Sequence, residues 1–384
     1  MARNKKHIAF VIESLHCGGA EKSLVTLLQN IDLTRYVIDL YLVKRGGEFE
    51  KFVPKPVSFK EIPVSVGVSL IRKLINKVRY FVHRLNSSLH TAQLYWKYNK
   101  ENYAKVNKTY DVAIAYNQGF STYLVSEKID AKVKYSWLNT DYKRAGYKIE
   151  LDKFYYLNFN KVVCVSEENE NVFLNELNRI DLKLQTTVIK DIVDDEFIIK
   201  RSEEKIDLQK SDKAIYILTV GRLVKAKGYN LAIRACKNLV DAGHNIKWLI
   251  IGQGEEKETI ENAIKQFNLT NNFIILGYQE NPYPYIKHCD IYVQTSVFEG
   301  LGLSLIEASI LKKPIVTTNF PSAYGIIDNN NTGLICEMTP RGITDAVETL
   351  INDTALRKFF KANLAKNNNK DKQVILEKVY GLIK

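Results

Sequence analysis

With 384 residues and 46% hydrophobic side chains, the chain is long enough to build two cored domains, and it holds no apolar run of about 18 residues that would predict a membrane-spanning helix. Residues 8–12 are too short for a signal core and end at Glu13, and the five cysteines (Cys17, Cys164, Cys236, Cys289, Cys336) form no C-x-x-C pair, which argues for reduced thiols rather than disulfides or structural zinc. A net charge of +12 points to an anionic partner: nucleic acid, a membrane surface or a phosphorylated ligand.

Residues 7–12 predict a first buried strand. After His16, Cys17, Gly18 and Gly19, a helix is predicted over 20–29, with Leu24, Leu27 and Leu28 on one face. The glycine pair lets a ligand approach the helix N-terminus, although a glycine pair alone is an ordinary tight turn. The spacing is not G-x-G-x-x-G, which disfavours a dinucleotide oxidoreductase. Residues 36–43 predict a second strand, and 54–63 read as irregular. From 69 to 108 the chain turns basic. Ile71, Leu74, Ile75, Val78, Phe81, Val82 and Leu85 recur at helical spacing among Arg72, Lys73, Lys77, Arg79 and Arg84, and a further helical stretch carries Leu94 to Tyr103 among lysines. A basic amphipathic helix reads as an element lying on an anionic membrane surface; a core-packed helix with a solvated basic face is the competing reading. Strands are predicted over 111–116 and 133–138, the second running into Asn139 and Asp141. A strand over 161–165 leads to a helix capped by Ser166. Acidic residues crowd 188–205 without a long apolar period, which places an interdomain linker over 191–212. The expected organisation is one domain over 1–190, a second over 213–367, and a terminal helical segment over 368–384 crossing back to the first. The run at 367–369 reads as a helix break.

The second half opens with a strand over 214–220 and a loop holding Gly221, Arg222, Lys227 and Gly228. Arg222 is a forked donor and Lys227 a mobile point charge, a pair suited to a diphosphate, although loop residues of this kind are ordinarily just solvated. Strands over 246–251 and 273–276 precede Gly252, Gly254 and Glu255, and Gly277 and Tyr278. An apolar run over 290–294 then leads through Ser296, Phe298, Glu299, Gly300, Leu301 and Gly302 into a helix containing Glu307. Strand, glycine loop and helix N-terminus together make a natural anion site. Carboxylates would repel a phosphate, so Glu299 and Glu307 suit the hydroxyls of a sugar or ribose. Short strands over 314–317 and 333–336 and helices over 341–352, 354–367 and 371–383 complete the chain. The alternation predicts an α/β fold with doubly wound parallel sheets, and all these motifs fall where such sheets hold ligands, beyond the strand C-termini.

Read together, S-x-x-E-G-x-G-L-x-x-x-E-A at 296–308, G-R-L-x-x-x-K-G at 221–228, G-x-G-E at 252–255 and G-G-A-E at 18–21 closely resemble the signatures of the retaining GT-B glycosyltransferases of family 4, the glycosyl transferases group 1 of surface-polysaccharide assembly. The resemblance implies two Rossmann-like domains facing a central cleft, the first for the acceptor and the second for a nucleotide sugar. It carries catalytic roles to Glu299, at the transferred sugar, and to Arg222 and Lys227, at the diphosphate. It also assigns donor binding to Gly18, Gly19, Gly252, Gly254, Tyr278, Phe298, Gly300, Leu301 and Gly302, and the ribose to Glu307. His16, Asn139 and Asp141 fall on the acceptor and sugar side. Asn139 stands where many relatives have a histidine in W-[IL]-H-x-D, and an amide does no acid–base work near neutral pH. The implied reaction is metal-independent, needs no cofactor, and moves a sugar from a UDP-sugar to a lipid-linked glycan hydroxyl. The implied location is the cytoplasmic face of the plasma membrane, held through 69–108, with no nucleic-acid partner. A nucleotide-sugar 2-epimerase on the same fold, a non-catalytic nucleotide- or glycan-binding protein and a nucleic-acid-binding protein are the alternatives.

Overall fold

The computed structural model describes residues 5–87, 89–208, 210–211, 213–366 and 371–384. The chain divides into two compact units, one running up to Ile192 and including Gln373–Lys384, the other spanning Val193–Lys372.

In the first unit, β1 (Lys6–Ile12), β2 (Tyr36–Leu42), β3 (Ser58–Lys60), β4 (Thr109–Ala115), β5 (Asp130–Leu138), β6 (Lys161–Cys164) and β7 (Thr186–Val188) form one sheet in the order β3-β2-β1-β4-β5-β6-β7. Every pairing in it is parallel. Helices α1 (Gly19–Asn30), α2 (Leu70–Asn86), α3 (Thr91–Asn99), α4 (Phe120–Lys128), α5 (Ile149–Tyr156) and α6 (Glu167–Arg179) connect the strands. The apolar runs that predict β1 and β4 are buried on both faces, as a parallel sheet under helices requires. The sheet order reverses between β1 and β4, so the loops after these strands flank the switch point.

The second unit opens with α7 (Asp195–Ser202). It continues through β8 (Ile215–Val220), α8 (Tyr229–Asp241), β9 (Ile246–Ile251), α9 (Lys257–Gln266), β10 (Phe273–Gly277), α10 (Tyr283–His288), β11 (Ile291–Gln294), α11 (Leu303–Ile310), β12 (Ile315–Thr318) and β13 (Leu334–Cys336) to α12 (Pro340–Asn352) and α13 (Thr354–Leu364). Its parallel sheet runs β10-β9-β8-β11-β12-β13, with the switch point between β8 and β11. The final helix, α14 (Asp371–Ile383), joins the first unit: Tyr380 stacks on Tyr36 and accepts from Asp32 N, and Tyr135 donates to the Leu382 carbonyl.

Several stretches add to the sequence reading, strand β7 among them. The span 54–63 holds edge strand β3, and within 191–212, the expected linker, Asp195–Ser202 forms α7. Asp191 is buried in the first unit, while Asp194 caps α7, whose Ile198 packs in the second unit's core. Eight residues give too few apolar repeats to announce a helix. The basic region 69–108 splits in two: α3 buries Leu94 and Trp96, whereas α2 leaves its apolar residues exposed. The break expected at 367–369 lies outside the described residues.

A buried acid ties three helices together under the first sheet. Asp152 on α5 accepts from Gln93 on α3 and Tyr123 on α4 at 2.8 Å each, and from Tyr142 at 2.6 Å. Burial pushes its carboxyl up from 3.8 to about 6, against the lowering effect of these neutral donors. The unfolded chain therefore loses this proton first as pH rises, so the group contributes its full stability below pH 3.8 and loses it up to about 6. At about 1.4 kcal/mol per unit, roughly 3 kcal/mol is lost across that window. Asp152→Asn removes the titration. Urea unfolding followed by Trp96 and Trp137 should show the variant gaining that amount relative to wild type between about pH 4 and 6.5; a pH-independent difference would contradict this account.

Candidate active site

In the second unit the loops after β8, β9 and β11 meet backbone to backbone. Gly228, at φ +64°, forms the N-cap of α8, and a Cβ there would lie 2.1 Å from the Thr295 carbonyl oxygen. Thr295 Oγ1 donates to the Lys227 carbonyl at 2.9 Å, and Val297 N donates to the Ala226 carbonyl at 2.7 Å. Gly252 has φ +155°, and a Cβ there would lie 1.9 Å from the Gly221 carbonyl oxygen; one at Gly254 would lie 2.4 Å from that of Leu223. Leu223 N bonds the Gln253 carbonyl, and Glu256 N the Leu223 carbonyl. Gly252 and Gly254 thus have a packing reason to be glycine in addition to any ligand.

This seam brings Lys227 and Glu299 together. Lys227 Nζ lies 2.5 Å from Glu299 Oε1, both side chains being under one-fifth exposed. The same oxygen accepts from Ser296 Oγ at 2.5 Å and Gln294 Nε2 at 2.9 Å. Ser296 is itself fixed through its carbonyl, which accepts from Thr318 Oγ1 at 2.6 Å. Gly302, at φ +86°, caps α11, and the helix carries Glu307 inward, 4% exposed, so Glu307 is no solvated surface charge. Gly300 and Leu301 are buried, Phe298 is half-buried, and Arg222 stands exposed on the β8 loop. Tyr278 follows Gly277, whose carbonyl accepts from Gly252 N. Arg222, Lys227, Glu299 and Glu307 therefore all belong to loops and helix starts at the C-terminal ends of the switch-point strands β8 and β11.

The first unit holds its own set. Gly18 is the N-cap of α1. Glu48 Oε2 accepts from Cys17 N at 3.0 Å and lies 3.1 Å from His16 Nδ1. Gly47 lets that brace close up, since a Cβ there would meet the Leu15 backbone at 2.2 Å. Asn139 turns its amide to the Tyr116 carbonyl, and its N–H bonds Gln118 Oε1 at 3.0 Å. Asp141 is buried and receives Arg144 N at 2.8 Å, closing a turn. Behind Asn139, Ser23 Oγ lies 2.9 Å from Tyr116 OH and donates to Asp191 Oδ1 at 2.5 Å; burial pushes the Asp191 carboxyl up to about 6. Glu48, Ser23, Asp191 and Gln294 escaped the sequence reading. Of these only Gln294, a polar residue inside an apolar strand, left a signal.

Residues 200–367 match the family described as glycosyl transferases group 1. Over 185 residues the chain is 34% identical to the N-acetylgalactosamine-N,N'-diacetylbacillosaminyl-diphospho-undecaprenol 4-alpha-N-acetylgalactosaminyltransferase of Campylobacter jejuni, covering 48% of each protein. Over 164 residues it is 33% identical to the capsular polysaccharide biosynthesis glycosyltransferase CapM of Staphylococcus aureus, covering 42% of this chain and 43% of CapM. The chain thus spans less than half the length of these curated relatives. Among solved structures, S. aureus TarM in complex with fondaparinux, alpha-GlcNAc-glycerol and UDP aligns over 99% of this chain and 100% of its own, at TM-score 0.71 and 15% identity. Anabaena HepE in complex with UDP and glucose aligns over 98% of each chain, also at TM-score 0.71 and 15% identity. The two Rossmann-like units are those of the GT-B fold.

The seam generates a stability test. Gly228→Ala combines left-handed strain with a backbone clash, and should cost about 2–4 kcal/mol in urea unfolding followed by Trp248. Gly243 shares a positive φ (+87°) but has open space around it, so Gly243→Ala should cost only about 1–2 kcal/mol. Equal losses would remove the clash from the argument.

Proposed function

We propose that the protein is a retaining glycosyltransferase that moves a sugar from a UDP-sugar to a hydroxyl of a lipid-linked glycan in bacterial surface-polysaccharide assembly. The observation that carries this reading is the pairing of Lys227 with Glu299 beside Arg222 and the buried Glu307, all at the β8–β11 switch point. Arg222, Lys227 and the N-termini of α8 and α11 would bind the diphosphate and stabilise its charge as it leaves, without a metal. Glu299 would hold sugar hydroxyls and offset the positive charge that develops on the sugar ring, and Glu307 would accept from the ribose. In the front-face reaction implied by the resemblance, the bond from the anomeric carbon to the phosphate oxygen breaks. The acceptor oxygen bonds that carbon on the same face, and the hydroxyl proton passes to the leaving phosphate oxygen. The UDP in the TarM and HepE structures supports the choice of nucleotide, and the names of the Campylobacter and CapM relatives support a polysaccharide acceptor.

Attachment to the membrane face would come from α2. Leu70, Ile71, Leu74, Phe81 and Leu85 are each more than 60% exposed. Arg72, Lys73, Lys77, Arg79 and Arg84 lie on the same helix. Among the described residues no helix is long and apolar enough to cross a membrane. A helix of this kind lies in the interface, and each basic residue near anionic lipid contributes about 1 kcal/mol.

Calorimetric titration with UDP, GDP and ADP should show selective binding of UDP, weakened at least about tenfold in both Arg222→Ala and Glu307→Ala, since each removes a charged hydrogen bond. No binding of any diphosphate would sink the donor site. In vesicle sedimentation, Leu74→Glu with Phe81→Glu should abolish binding to phosphatidylglycerol-containing vesicles while leaving UDP affinity unchanged, because both positions are exposed. Undiminished sedimentation would remove α2 as the anchor.

A further inference from the structure

We propose that Gln294 is a positioning residue that holds the Glu299 carboxylate in place when Lys227 shifts its contact from Glu299 to a donor diphosphate. This rests on the proposed roles of Glu299 and Lys227.

Gln294 ends β11, where Ile291, Tyr292 and Val293 are fully buried, and is itself 2% exposed. A primary amide in such a strand is unfavourable unless its donors and acceptor are engaged. Here they are. Its Oε1 accepts from Ser304 Oγ at 3.0 Å, and its Nε2 donates to Glu299 Oε1 at 2.9 Å and lies 3.3 Å from Ser296 Oγ. Ser304 sits in the first turn of α11, so the amide is fixed at both ends and its N–H face is turned to the carboxylate.

Three donors converge on Glu299 Oε1, and they are not equivalent. Lys227 is the charged one, on a flexible stem and in the loop proposed to receive the diphosphate. A diphosphate competes for that ammonium, and when it succeeds Glu299 keeps only its neutral donors. Ser296 is a rotating hydroxyl. Gln294 is braced from strand and helix together, and so is the contact that defines where the carboxylate stays.

The first arm is a crystal structure of wild type with UDP. Lys227 Nζ should bond the diphosphate while Glu299 remains on Gln294; Lys227 still seated on Glu299 would overturn the inference. The second uses Gln294→Met, which keeps length and loses the three side-chain hydrogen bonds, and Gln294→Glu. Release of UDP from UDP-glucose and UDP-N-acetylglucosamine should fall about ten- to a hundredfold in kcat for Gln294→Met, with donor KM and UDP affinity within about twofold. Gln294→Glu should recover toward wild type as pH falls below about 6, where the new carboxyl keeps a proton to donate to Glu299, while Gln294→Met should not. Wild-type kcat in Gln294→Met, identical pH profiles for the two variants, or loss of UDP binding in step with turnover would each overturn it. Wild type that binds no UDP, or Glu299→Gln with unchanged kcat, would instead remove the function on which it rests.

Discussion

The ion pair between Lys227 and Glu299 exists because two loop backbones touch. Neither residue is close to the other in sequence; they meet because β8 and β11 are neighbours at the point where the sheet order reverses. The loops that follow these strands then close on each other, at Gly228 against the Thr295 carbonyl and at Val297 N on the Ala226 carbonyl. The approach is possible only without a Cβ at 228. The buried strands beneath set the height of both loops: Thr219 on β8 donates to the Val293 carbonyl on β11 and accepts from Trp248 on β9. Hydrophobic burial fixes the strands, the strands fix the loops, and the loops fix the charges.

The first unit shows the same logic with a different outcome at its switch point. The polar groups behind β1 and β4 are turned toward one another: Ser23, Tyr116 and Asp191 form a closed buried chain, and the Asn139 Nδ2 donates to the Tyr116 carbonyl. Helices α2 and α3 are a second contrast. They follow one another in the same basic region, yet α3 drives Leu94 and Trp96 into the core while α2 touches the rest through one side, with His83 bonding Tyr98 and Tyr80 edge-on to Tyr95. What remains on α2 is an apolar face next to basic side chains, a surface that water alone does not explain.

That contrast marks where the sequence is legible. Long apolar runs such as 246–251 and 215–220 could be read directly, because a strand buried on both faces has little other way to be written. Strands β3 and β7, three residues each, have no period to detect, and α7 is hidden by its acidic cap residues. The charged members of the candidate site stand out by type and spacing. The reason for Gly252 and Gly254 did not, since contact with the neighbouring β8 loop is invisible along the chain. Whether a basic amphipathic helix ends in the core or at the surface is likewise decided by tertiary neighbours and not by its own pattern.

The pairing of Lys227 with Glu299 also bears on how an anion would be received. An unpaired, half-buried lysine would draw any phosphate, whereas one already satisfied by a carboxylate yields only to a ligand that offers more than Glu299 does. Arg222 stands exposed, and the helix starts at Gly228 and Gly302 add partial positive charge. Under the proposed function a single phosphate would engage one of these features, whereas a diphosphate would engage several at once and displace the carboxylate. Released from the lysine, Glu299 would keep its neutral donors Gln294 and Ser296 but lose its counter-charge at the moment the proposed donor is in place, and its negative charge would then act on the sugar.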